Sequence, residues 1–341
     1  MYLRRIVWLT ALLVCFGLVA PASAQAPRPK DLQWTHAFDL ACRKLGENDF
    51  TEKTQKFGVE AFRDANNSLG LYLSQTGSLA AAPNFADLKI PLTPKSPDWV
   101  TGFDLQARKA GEKEFSKTTK THAMEVFRDP NVGNWIYVTD KGAVATTTSK
   151  TAPAGAKASK WVHSVDLSVR KGGVKDWKDA TKYGIEVYRD NSSGNLVYIC
   201  DTGSIAVIPD TSDGKSDGKA PEWLHGLDLK VRKANEPSFT KETKIYGVEV
   251  FRDGNNANLI FLCETGSIAV AAGPQAAKAP TTNVKEPVWT HGINVKCRKY
   301  GEKEFTGLTQ TFGAEVFRDD NVGVTVYIGE TGTLTAIATK Q

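Results

Sequence analysis

Arginine, glutamate, aspartate, histidine and cysteine recur in this 341-residue chain at fixed places in a repeated block, and these are the side chains that bind ions, move protons or ligate metals. Arg43, Arg108, Arg170, Arg232 and Arg298 are each followed by lysine, and Glu60, Glu125, Glu186, Glu249 and Glu315 follow 16 or 17 residues later. A catalytic carboxylate is needed once, not five times. The repeated pair reads as a cross-strand ion pair on the solvent face of each unit, which helps register by a few tenths of a kcal/mol.

A second constellation stands at a turn. Arg63, Asp64, Arg128, Asp129, Arg189, Asp190, Arg252, Asp253, Arg318 and Asp319 form five Arg-Asp pairs and are the candidate ligand-binding residues. The Asp-x-Asn that follows resembles part of a calcium loop, because alternate oxygen side chains can converge on a hard cation. No glutamate closes the loop, and Ser68, Ser192 and Ala257 interrupt it. Asx turns at hairpin ends account for the same letters. Calcium is the one cofactor worth testing, and no other is indicated.

Trp-x-His occurs in four copies with His36, His163, His225 and His291, whereas the second copy has Thr101. With no second histidine or cysteine nearby, these read as packed, hydrogen-bonded residues rather than metal ligands. Beyond the leader, Cys42 and Cys297 stand where other copies have Ala107, Val169 and Val231, and Cys200 and Cys263 where others have Ser74, Thr139 and Gly329. Small substitutes point to packing. Four cysteines still allow three pairings, and a Cys42–Cys297 bond would join the first and last copies and favour a ring. No nucleophile elbow, phosphate loop or paired zinc motif is present, so a non-enzymatic protein is expected.

The elements that carry these residues repeat with Trp34, Trp99, Trp161, Trp223 and Trp289, spaced by 65, 62, 62 and 66 residues. Such a period marks an array of one supersecondary unit. In the fourth copy Trp223 to Lys233 alternates, with Trp223, His225, Leu227, Leu229 and Val231 on one face, which predicts a half-buried strand and a core tryptophan. A polar loop follows, with an apolar anchor at Phe239, the counterpart of Phe50, Phe115, Trp177 and Phe305. Tyr246–Asp253 alternates again, Leu259–Cys263 is an apolar run, and Glu264-Thr-Gly-Ser267 reverses the chain into Ile268–Val270. Two successive hairpins make a four-stranded antiparallel meander.

The fold expected is therefore all-β, with five modules at 31–82, 97–146, 159–208, 221–272 and 286–338, joined by linkers at 83–96, 147–158, 209–220 and 273–285. The linkers are rich in Ala, Pro, Lys, Ser and Thr, a composition of mobile tethers. Two arrangements compete. A string of small rolled sheets or barrels is preferred, because a five-bladed β-propeller would press the charges of strands one and two against the next blade.

Residues 1–24 have the form of a secretory signal: Arg4-Arg5, an apolar run from Ile6 to Ala20, and Ala22-Ser23-Ala24 as the cleavage site. The expected location is secreted or periplasmic, without a membrane span. Loss of the leader removes two arginines and no acids, taking the formal charge from +5 to +3. Lysines and acids are interspersed, which gives no footprint for nucleic acid.

The expected function is a multivalent binding or scaffolding protein for cell-surface polysaccharide or an envelope protein; Phe62, Phe127, Tyr188, Phe251 and Phe317 are tempting aromatic contacts beside the Arg-Asp turns, with packing under the linkers the preferred reading of these rings. The alternative is a purely structural envelope or matrix protein, and a third reading is an enzyme with its site on a propeller face.

Overall fold

The computed structural model describes residues 32–83, 93–148, 157–212, 215–216, 218–273 and 283–338. The leader at 1–24 and much of the linkers lie outside the described residues.

Each copy forms one sheet. Blade one holds β1 (Leu32–Cys42), β2 (Gln55–Asp64), β3 (Leu69–Ser74) and β4 (Leu79–Ala82); blade two holds β5 (Asp98–Ala107), β6 (Lys120–Arg128), β7 (Asn134–Thr139) and β8 (Val144–Thr148). Blade three holds β9 (Ser159–Val169), β10 (Thr181–Asp190), β11 (Asn195–Cys200) and β12 (Ile205–Pro209). Blade four holds β13 (Glu222–Val231), β14 (Lys244–Arg252), β15 (Leu259–Cys263) and β16 (Ile268–Ala271), and blade five holds β17 (Val288–Cys297), β18 (Gln310–Asp319), β19 (Val324–Gly329) and β20 (Leu334–Ala338). All five are antiparallel meanders in chain order. Among the described residues no helix is long and apolar enough to cross a membrane.

The last turn of each meander requires glycine for two reasons. Gly266 has φ +80°, where an L side chain is strained, and a Cβ there would lie 2.8 Å from the Tyr183 ring of the preceding blade.

The fourth strands close the structure. β4 abuts β8, β8 abuts β12, β12 abuts β16, β16 abuts β20, and β20 abuts β4. The five modules are therefore the blades of a propeller, with each fourth strand at the axis and each first strand at the rim. Small residues such as Ala80, Ala82, Ala145, Ala206 and Ala269 let five inner strands crowd around a narrow apolar channel of about 280 Å³.

The all-β, five-module reading holds, and the arrangement is the ring. Separately cored barrels on a string are absent, because every apolar cluster is shared by two blades. Leu229, Val248 and Phe261 of blade four pack with Phe317, Val326 and Ile328 of blade five. Leu73 and Leu79 of blade one pack with Val295 and Val316 of blade five, which closes the ring. The objection from buried charge fails because the buried glutamate of each second strand meets an arginine of the neighbouring blade.

Where the linkers are described, their ends are gripped. The backbone of Lys95, Lys219 and Lys285 exchanges paired hydrogen bonds with Asn131, Asn255 and Asn321, and that of Lys157 with Ser192. In these four blades the residue two beyond the turn aspartate thus docks the incoming chain.

One irregularity redirects the first strand. In every blade the register shifts just after the tryptophan, between Trp34 and His36 in blade one and between Trp223 and His225 in blade four. This β-bulge sends tryptophan and histidine to opposite faces, so the tryptophan is not a core residue.

Because no blade owns a core, residues 221–273 alone are expected to show neither a cooperative melt nor dispersed amide resonances, whereas the full ring unfolds in one transition. A dispersed spectrum from the excised blade would contradict the shared-core assignment.

Candidate functional site

Five equivalent clefts lie where one blade laps onto the next. Their floor is a buried glutamate from the second strand, at most 1 % exposed in every blade. Glu60, Glu125, Glu186, Glu249 and Glu315 each accept the indole Nε1–H of their own blade's Trp34, Trp99, Trp161, Trp223 or Trp289 at 2.6–2.8 Å. On the other oxygen they accept Nε–H from the preceding blade's arginine at 2.5–2.6 Å: Arg298, Arg43, Arg108, Arg170 and Arg232 in turn. The pair expected within one module, on its solvent face, instead bridges two modules and is buried.

The register explains the correction. Glu60 lies opposite Ala37, six residues along the strand from Arg43, which is roughly 20 Å. The guanidinium reaches only the next blade. It also donates through Nη1 to the loop that follows it, as Arg298 does to Glu302 O and Lys303 O. The loop aromatic then covers the guanidinium, with ring centres 5.0–5.8 Å away for Phe115, Trp177, Phe239 and Phe305.

The same loop aromatic meets the next blade's tryptophan edge to face. Phe50–Trp99, Trp177–Trp223, Phe239–Trp289 and Phe305–Trp34 have centroids 5.8–6.5 Å apart. These rings face solvent: the tryptophans are 39–49 % exposed and the loop aromatics 39–44 %. They were expected to be core residues and loop anchors. Phe62, Phe127, Tyr188, Phe251 and Phe317 are packed, as preferred over surface contact, and lie in the shared cores. The signal for the bulge was present in Val100, Val162 and Leu224, apolar residues where strict alternation demands a polar one.

Between blades four and five lies a cavity of about 220 Å³, lined among others by Arg232, Lys233, Asn235, Asn294 and Glu315. Its base is Gly292, where a Cβ would collide with the Arg232 guanidinium.

The turn residues have a different fate. Asp64, Asp129, Asp190, Asp253 and Asp319 are fully buried at the joints. Each Oδ1 accepts the backbone N–H two residues on, the Asx turn expected from sequence. Each Oδ2 takes donors from the preceding blade: His36 on Asp129, His163 on Asp253, His225 on Asp319 and His291 on Asp64, at 2.7–3.0 Å. Tyr72, Tyr137, Tyr198 and Tyr327 add a second bond to Asp129, Asp190, Asp253 and Asp64. Where Thr101 replaces histidine, Ser193 donates to Asp190 instead.

These aspartates are therefore occupied by protein donors. The partner arginines do not join them in one pocket: Arg189 pairs with Asp210, Arg318 with Asp320, and Arg128 stacks on Trp135. No group of three or more His, Cys, Asp or Glu is gathered for a metal among the described residues. All four described cysteines are free, buried thiols, and burial raises their pKa, that of Cys200 to about 12.

Burial would raise the carboxyl pKa of Asp64, Asp129 and Asp253, but the histidine hydrogen bond and charge, with the Asx and tyrosine bonds, outweigh it and hold each below the usual value. The buried tyrosines are pushed well above theirs, first by burial and then by the aspartate charge, so they remain donors. A carboxyl more acidic in the folded than in the unfolded state stabilises above the unfolded value near about 4, and this is lost as pH falls through the folded value. Asp129→Asn is therefore expected to melt lower than wild type at pH 7, by about 1–3 kcal/mol, and the two melting curves to converge below about pH 4. A gap that stays constant down to pH 2 would refute the ion-pair role.

A scan of protein-family models and searches of curated proteins and solved structures give no match to this chain.

Proposed function

We infer that the protein is a multivalent, non-enzymatic binding protein of the cell envelope or exterior, whose five rim clefts engage a repetitive glycan. The observation that carries this reading is the set of ten solvent-facing aromatic rings at five equivalent joints, paired edge to face at four of them. Leaving ten large rings two-fifths exposed does not help the core, whereas a flat indole beside hydrogen-bonding loops suits the apolar C–H face of a sugar ring. The leader-like residues 1–24 support export to where such polymers occur.

The ring alters how avidity arises. The sites are not tethered by flexible linkers; shared cores hold them at fixed spacing. Binding one repeat of a polymer therefore presents the next repeat to a preplaced site, and avidity depends on matching that spacing.

A glycan array probed with the full chain tests the proposal, beside a variant with Phe50, Phe115, Trp177, Phe239 and Phe305 all changed to serine, which leaves every Trp–Glu–Arg link in place. Wild type is expected to bind a polymer about 10²–10⁴ times more tightly than its single sugar, and the variant to lose that gain. Silence on all glycans, or equal binding by the variant, leaves the structural matrix reading in its place.

A further inference from the structure

The axial channel opens at one end among the five hairpins that join third to fourth strands, in a mouth of about 280 Å³. Leu79, Val144, Ile205 and Leu334 form its floor, and hydroxyl residues form its wall. No aspartate or glutamate lines it.

Six of the wall hydroxyls divide into two sets. Thr76, Thr202 and Thr265 donate to Gly142 O, Gly266 O and Gly332 O of the next blade at 2.9–3.0 Å, so their protons are committed. Ser78, Ser204 and Ser267 do the reverse: their Oγ atoms accept the N–H of Val144, Ile268 and Leu334 at 2.9–3.0 Å. A hydroxyl that accepts a backbone N–H keeps its own proton to give. Three O–H donors are thus held in place around the mouth by the ring itself, with no acceptor among the described residues.

Blade five keeps one clasp through its second position, Thr333 donating to Gly77 O at 2.9 Å, whereas blade two has none among the described residues. Where the others carry threonine at the first position and serine or threonine at the second, blade two carries Lys141 and Ala143. The clasp from blade two to blade three is therefore missing, and the only cation lining the mouth takes its place. Lys141 is largely exposed, and Asp140, 3.8 Å from its ammonium, lies outside the lining. Giving up two inter-blade hydrogen bonds at a single joint has no structural return, and such departures from a fold's own rule mark functional positions.

We propose that this mouth binds a tetrahedral oxyanion, phosphate or sulfate, either free or carried on a larger molecule, with Lys141 as the charge and the hydroxyls of Ser78, Ser204 and Ser267 as donors. Charge-assisted hydrogen bonds supply the affinity, and the aliphatic floor tolerates the carbon side of an ester. The site is independent of the rim clefts and occurs once per ring.

Titration of the full chain with inorganic phosphate, inorganic sulfate and a hexose 6-phosphate, followed by amide shifts and calorimetry at constant ionic strength in chloride, tests it. Saturable binding is expected, with shifts centred on residues 76–79, 141–144, 202–205, 265–268 and 331–334. A hexose phosphate at least about tenfold tighter than phosphate identifies a carried group, and equal affinity a free anion. The variant Lys141→Thr with Ala143→Ser restores the residues of the other blades; it is expected to melt higher than wild type and to bind about tenfold or more weakly. No shift beyond the chloride control, or unchanged binding in that variant, overturns the proposal.

Discussion

A buried glutamate that bonds a tryptophan of its own blade and an arginine of the blade before it is the constraint on which the ring depends. A carboxylate with almost no exposure must be paired, and replacing one partner of such a pair by a neutral group typically costs about 3–5 kcal/mol. Each glutamate therefore admits only one placement of the preceding blade. Repeated five times, that requirement fixes the angle between blades, seats the loop that covers each arginine, and sets each tryptophan beside a neighbour's aromatic ring at the rim. The clefts follow from the joint.

The second bolt, histidine and tyrosine on a turn aspartate, lies four residues beyond the glutamate, where the second strand ends. Together the two bolts clamp each joint. Where one member is missing, the chain compensates across the joint: Thr101 in blade two is matched by Ser193 in blade three. Blade four has Phe261 where its neighbours have tyrosine, and Asp319 keeps its histidine. Among the described residues no strand is exchanged between first and last blades, and the joint is closed by side chains, with Arg298 on Glu60, His291 on Asp64 and Thr333 on Gly77 O.

Strand count and hairpin turns were legible because they rest on local chemistry: alternation of period two and a glycine at each reversal. The ring was harder to read, for a reason peculiar to repeats. When every copy has the same arginine and the same glutamate, a pair within one copy and a pair between neighbours have identical letters, and only register separates them. The tryptophans were misplaced for a related reason, since one bulged residue reverses the face of everything before it; Trp223 and Leu229 share parity on paper and oppose each other in the sheet. The Asx turns were read correctly from Asp-x-Asn, yet the second oxygen of each aspartate serves a residue about 55 to 94 positions upstream or, at closure, more than 220 downstream, beyond any local pattern.

The closing joint offers the most direct measurement: a double-mutant cycle of Glu60→Gln, Arg298→Met and both together, followed by equilibrium denaturation of the full chain. The account predicts one cooperative transition in every variant, a loss of about 3–5 kcal/mol for Glu60→Gln, and strong coupling, so that the double variant is far less destabilised than the two singles combined. Additive effects within about 0.5 kcal/mol, or a separate early melt of blade one with the rest unchanged, would contradict it.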